Sequence, residues 1–149
     1  MDLATTPQSV DDFLEAAQRF LKLYESTPAE YPEGRVIFAF YRALHLVQAV
    51  SLHKLGKVPV THTDRANLIR NQFRSMWKHY RPLLEESERA RYLKGGYLEL
   101  SAEQVEYQLR RRRLGAIEKW AEKELGRPIT TAKAVVTKTS EITREPSVE

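Results

Sequence analysis

The stretch Pro32–Gly56, PEGRVIFAFYRALHLVQAVSLHKLG, constrains the fold of this chain more than any other. It is long enough for about six helical turns at roughly 3.6 residues per turn. Its centre, VIFAFYRALHLVQAV, is apolar on nearly every face, which marks a helix buried at the centre of a bundle and not one lying on its surface. Pro32 suits a first helical position, because its missing N–H would be unpaired there in any case. His53 and Lys54 put cations where the helix dipole favours them, and Gly56 fits the stop. Three polar side chains interrupt the apolar centre: Arg42, His45 and Gln48. Arg42 and His45 share a face, with Tyr41 one turn before His45. Polar groups at that depth need partners, so they are the first place to look for function.

The other segments read as helices wrapped around this one. Ser9 with Asp12 caps a first helix whose stripe is Val10, Phe13, Leu14, Ala17, Phe20, Leu21 and Tyr24. STPAEYPEG is a turn-rich linker. KVPVTHT is a loop in which Thr61 or Thr63 caps a third helix starting near Asp64, with a break expected near Phe73. Pro82 is expected in the first turn of a fourth helix that runs to about Lys94, because a proline inside a helix breaks it. Gly95-Gly96 ends that helix and YLEL is a short extended link. Ser101 with Gln104 is a full capping box opening a helix over about 102–125. Its stripe is Val105, Leu109, Ala116, Ile117, Trp120 and Ala121, flanked by Leu114 and Leu125. The expected architecture is all-α: a single antiparallel bundle of about five helices around a buried central helix. The expected domain spans 9–126, with residues 1–8 loose and a Thr- and charge-rich tail, 127–149, disordered.

Composition narrows the chemistry. The chain has 149 residues, enough for one domain with a sizeable core. It contains no cysteine, which excludes disulfides, thiolate metal sites and thiol catalysis. No secretory signal is seen at the N-terminus and no apolar run reaches the roughly 20 residues of a membrane span, so a cytoplasmic protein without membrane contact is expected. His45, His53, His62 and His79 are not spaced as a metal set, and there is neither an H-E-x-x-H nor a Gly-rich phosphate loop. No metal or cofactor is therefore expected.

The net charge is only +4, but its distribution is uneven. Arg110, Arg111, Arg112 and Arg113 are consecutive. At about 100° per residue they cover a whole helical circumference, so Arg112 or Arg113 must lie on or beside the apolar stripe. Such an arginine is paired, snorkels outward or faces an anion; the competing reading is a solvated face with pairs such as Glu106 to Arg110. Residues 65–94 hold Arg65, Arg70, Arg74, Lys78, Arg81, Arg89, Arg91 and Lys94 against Glu85, Glu86 and Glu88, with Trp77, His79, Tyr80 and Tyr92 interleaved. Cations hold phosphates and aromatic faces stack on bases, a mixture that suits single-stranded RNA. The competing reading places Trp77 and Tyr92 in the core. Arg74 and His79 are the minimum kit for metal-free RNA cleavage through the 2′-hydroxyl. Five residues apart they lie about 140° from each other on a straight helix, and converge only across a helix break or a partner chain.

FAFYRALHLVQAVSLHKLGKVPVTHTDR resembles the core of HEPN-domain proteins, all-helical nucleotide- and RNA-binding modules. Tyr41, His45, His62 and Arg65 match that family's aromatic-x-A-x-H centre and the H-x-x-R-like start of its next helix. ARYLKGGYLELSAEQVEYQLRRRRLGAIEKWAEKEL is similar to its A-x-Y element and long last helix, with Tyr92 as the matching tyrosine. The resemblance covers roughly residues 10–125. It implies RNA or nucleotide binding by Tyr41, His45, His62, Arg65 and Tyr92, with Arg110, Arg111, Arg112 and Arg113 supplying field. It also implies a homodimer, and a place in a toxin–antitoxin or defence system beside an antitoxin or nucleotidyltransferase partner. Ribonuclease members carry R-x4–6-H near the start of one of the last two helices. No histidine stands around 86–97 here, and Arg74-x4-His79 falls earlier. Two alternatives thus stand beside the binding module: a dimeric metal-free ribonuclease using Arg74 and His79, and a catalytically inert interaction partner.

Overall fold

The computed structural model describes residues 9–92 and 100–129. Five helices form an all-α bundle, and no strand occurs among the described residues. They are α1 (Val10–Ser26), α2 (Pro32–Leu55), α3 (His62–Gln72), α4 (Arg74–Tyr92) and α5, which is continuous from Ala102 to Leu125.

Each start has a local cause. The Ser9 side chain accepts from the Asp12 amide, and Thr61, not Thr63, caps α3 by accepting from the Asp64 amide. Ser101 and Gln104 make both bonds of the capping box. The α2 helix ends where Gly56 turns left-handed, φ 67°, a conformation that costs glycine nothing sterically. The break at Phe73 is real: its amide still bonds Ile69, but its backbone leaves the helical region before α4 begins.

The direction of each helix follows from which residues meet. Phe13 lies by His45, Phe20 by Tyr41 and Phe38, and Arg35 over Tyr24, so α1 and α2 are antiparallel. Arg42 pairs with Glu118 and Lys54 with Glu124, so α2 and α5 run the same way. Phe73 meets Trp120 while His79 meets Arg113, so α4 opposes α5. The central helix α2 is enclosed by α1, α4 and α5, and α3 packs against α4. Phe40, Leu46, Val47 and Val50 in α2 are fully buried. Truncating a core phenylalanine such as Phe40 to alanine costs about 3–5 kcal/mol. By length and composition α2 does satisfy a membrane span, with a mean hydropathy of 1.3, but 67% of that window is buried inside the bundle.

Two helices depart from the sequence reading. Pro82 sits inside α4, not in its first turn. Tyr80 and Leu83, which bracket it, are both fully buried, and this packing carries the helix across the missing N–H. The second departure is in α5. Residues Val105–Leu114 wind as a π-helix between α-helical Ala102–Gln104 and Gly115–Leu125. Leu114 is therefore fully buried with Val105, Leu109, Ile117 and Ala121, while Ala116 and Trp120 are only half-buried. Past the expected domain end at 126, Ile129 is still buried against the core. The loose N-terminus, the end of α4 at Lys94 with Gly95-Gly96, the start of the YLEL link and the tail from 130 lie outside the described residues.

Candidate nucleic-acid interface

The polar side chains of α2 face two ways. Arg42 points at α5 and α1. Its Nε donates to Glu118 Oε2 at 2.6 Å and its Nη1 to the Ala17 carbonyl at 2.9 Å, with only 3% of the residue exposed. Burial lowers its pKa and Glu118 opposes that. Arg42 is thus an interior strut joining three helices. Gln48 holds the loop after α2, donating to the Pro59 carbonyl at 2.9 Å.

Tyr41 and His45 face the other side, where α1, α2, the start of α3 and the end of α4 meet. The His45 ring is stacked on Phe20, 5.4 Å between centroids and 11° between planes. Its Nδ1 is buried without a hydrogen-bond partner among the described residues. Burial, helped by the Arg65 charge, holds its pKa at about 4, so the ring is neutral at pH 7. His45 supports the cluster from behind.

Arg65 is 4% exposed and uses most of its donors internally. Its Nε donates to Gln48 Oε1 at 3.3 Å, and its Nη2 to the Pro59 and Val60 carbonyls, both at 3.3 Å. Its Nη1 donates to His62 Nδ1 at 3.1 Å. A guanidinium can only donate, so His62 Nδ1 must accept and the ring proton sits on Nε2. Burial and then the charges of Arg65 and Arg91 hold the His62 pKa below its ordinary value, against Glu88. Arg65 is a positioning residue here: it fixes the loop and presents His62 as a neutral donor.

The group that completes the cluster is Arg91, one of several cations in the basic stretch of the sequence and not singled out there. Its Nε donates to the Ser87 carbonyl at 3.3 Å, and its Nη1 approaches the Tyr41 hydroxyl at 3.5 Å. Its guanidinium lies 5.8 Å from the Phe40 ring centre, 5.9 Å from Tyr41 and 5.4 Å from Tyr92. Beneath, Tyr80 is buried beside Arg65, and burial pushes its pKa up to about 12 against the Arg65 charge. The A-x-Y pattern held a signal for Arg91, which is its middle residue. Tyr92 itself is 65% exposed, so it is not core.

The remaining candidates lie elsewhere. Arg74 and His79 are on one unbroken helix, since the break at Phe73 precedes both, and so they diverge within the chain. His79 instead meets Arg113 from α5 at 3.5 Å. The arginine quartet divides. Arg110 bonds Glu118 at 3.3 Å and Arg111 bonds Glu106 at 3.0 Å; these two help line an open pocket of about 420 Å³ with Tyr24, Glu25, Arg35 and Glu106. Glu106 also accepts from the Tyr24 hydroxyl at 2.7 Å. The pairing of Arg111 with Glu106, and not Arg110 as i,i+4 geometry would have it, follows from the π winding, which brings i and i+5 together. Arg112 is exposed and Arg113 half-buried. Among the described residues no three His, Asp or Glu side chains gather as metal ligands.

Comparison with protein-family models, with curated proteins and with solved structures returns no match.

Proposed function

We propose that this chain is a HEPN-like helical module that binds RNA or a nucleotide through Tyr41, His62, Arg91 and Tyr92, with Arg65 and His45 holding that surface in place. The observation that carries the reading is Arg91. Its guanidinium is set among three aromatic rings and beside a neutral histidine whose Nε2 proton is free to donate. A guanidinium is suited to the phosphate oxygens, an exposed tyrosine to a base face, and a fixed N–H to a second oxygen. The order of motifs along the chain, from Tyr41 to Tyr92, supports the same reading through the family resemblance.

Salt-dependent retention of labelled single-stranded RNA, and of ATP, tests it. Binding should weaken as salt rises and should fall in Arg91→Gln and Tyr92→Ala. Stacking of one base is worth about 1–3 kcal/mol, so Tyr92→Ala should weaken RNA binding roughly fivefold or more while Tyr92→Phe retains it. Equal retention by wild type and both variants would overturn the assignment.

A further inference from the structure

The division of the arginine quartet leaves a second basic surface that the Arg91 cluster does not use. Arg111 is paired with Glu106, Arg110 shares Glu118 with Arg42, and the Arg35 beside them shares its pocket with Glu25. Arg113 is turned the other way, toward α4, and Arg112 beside it is exposed. Arg113 Nη1 stands 3.5 Å from His79 Nδ1, and the charges that bear on His79 are those of Arg113, Lys78 and Arg112, with no carboxylate among them. Among the described residues Arg74, Lys78, Arg112 and Arg113 make no ion pair with an acid. Arg74 and Lys78 share a face of α4 at i,i+4.

Folding thus brings basic side chains of α4 and α5 together with no acid paired to them among the described residues, an arrangement that opposes itself unless an anion joins it. The cause lies in the backbone. The π winding of Val105–Leu114 takes roughly one more residue per turn than an α-helix, which lets Arg110 and Arg111 meet Glu118 and Glu106 while Arg113 meets His79. π-helical turns inside α-helices are rare and frequently mark functional sites.

We infer that Lys78, His79, Arg112 and Arg113 form a second phosphate-binding site, which takes the backbone of a single-stranded nucleic acid. Resting on the reading above, this makes the ligand a strand long enough to span two contact surfaces, not a mononucleotide. Arg113 donates to His79 Nδ1, which leaves the Nε2 proton outward as a donor. In this arrangement His79 holds a phosphate oxygen; it does not abstract a proton.

The test measures affinity across a salt series for a 12-nucleotide single strand and for a trinucleotide, using wild type, Arg91→Gln and the triple variant Lys78→Gln/Arg112→Gln/Arg113→Gln. Among the described residues none of the three triple-variant positions is ion-paired, and a urea midpoint equal to that of wild type checks that the variant folds. With the long strand the triple variant should reduce the slope of log affinity against log salt by roughly 2, since each single-strand phosphate contact contributes about 0.7. With the trinucleotide it should match wild type. A wild-type slope on the long strand in the triple variant overturns the second site, as would equally tight binding of a 12-base-pair duplex. Loss in the triple variant with none in Arg91→Gln would keep this site and overturn the Arg91 reading instead; loss confined to Arg91→Gln would do the reverse.

Discussion

Leu109 and Leu114 are five residues apart and both are buried in the same core. On an α-helix their side chains would diverge by about 140°; the π winding between Val105 and Leu114 puts them one turn apart. The buried positions of the last helix, Val105, Leu109, Leu114, Ile117 and Ala121, are spaced four, five, three and four. One of those intervals is a residue too long for an α-helix.

Deleting one arginine from Arg110–Arg113 should therefore be tolerated. The four possible deletions give the same sequence, and each shortens the interval of five to four, an α-helical spacing throughout. We expect the deletion variant to fold with stability within about 1 kcal/mol of wild type, since lost Arg–Glu pairs at partly exposed positions are worth little. Urea unfolding and far-ultraviolet circular dichroism would check it. Global unfolding would show that the π segment is required by packing and is not merely accommodated.

The interior strut predicts an asymmetry. Glu118→Ala leaves the Arg42 guanidinium buried with only the Ala17 carbonyl, whereas Arg42→Met leaves Glu118 partly exposed and still bonded to Arg110. Removing the carboxylate should cost about 3–5 kcal/mol, and removing the arginine distinctly less. Denaturant midpoints of the two variants measure the difference, and equal losses would contradict it.

Stability should fall with acid through His45. Its folded pKa, about 4, lies below the roughly 6.5 of an unfolded histidine, so the folded state favours the neutral ring. That contribution is fully present above pH 6.5 and is lost as the pH falls toward 4. Between pH 7 and pH 5 it amounts to about 2 kcal/mol. His45→Phe keeps an aromatic ring on Phe20 and should remove this part of the pH dependence. His62 and His79, also shifted downward, leave a remainder of the same sign. Urea midpoints of wild type and variant at the two pH values give the comparison.

Pro82 gives α4 no amide to bond the carbonyl of Lys78 one turn earlier. An interior proline costs a helix about 3 kcal/mol relative to alanine, and the loss of its half-buried ring offsets part of that. Pro82→Ala should therefore stabilise the protein by about 1–2 kcal/mol, read as a rise in melting temperature. A fall would mean that ring packing outweighs the restored hydrogen bond.

Local chemistry decided much of this fold. Ser9, Pro32, Gly56 and the Ser101–Gln104 box set helix ends through bonds within a turn, so they were legible in the chain. The continuous apolar face of Val36 to Val50 could be satisfied only by enclosure, and α2 is enclosed. The sequence also held Tyr41, His62 and Arg65 as related residues, because Arg65 reaches His62 along one helical turn. Tertiary structure alone decided the rest. It chose which way the side chains of α2 point, so that Arg42 became a strut while Tyr41 joined Arg91, which is distant in sequence. It carried α4 through Pro82, because burial of Tyr80 and Leu83 outweighs one missing hydrogen bond. It also wound the arginine quartet as a π-helix, because burying both Leu109 and Leu114 is worth more than regular α geometry, and so separated Arg110 and Arg111, which meet Glu118 and Glu106, from Arg113, which meets His79.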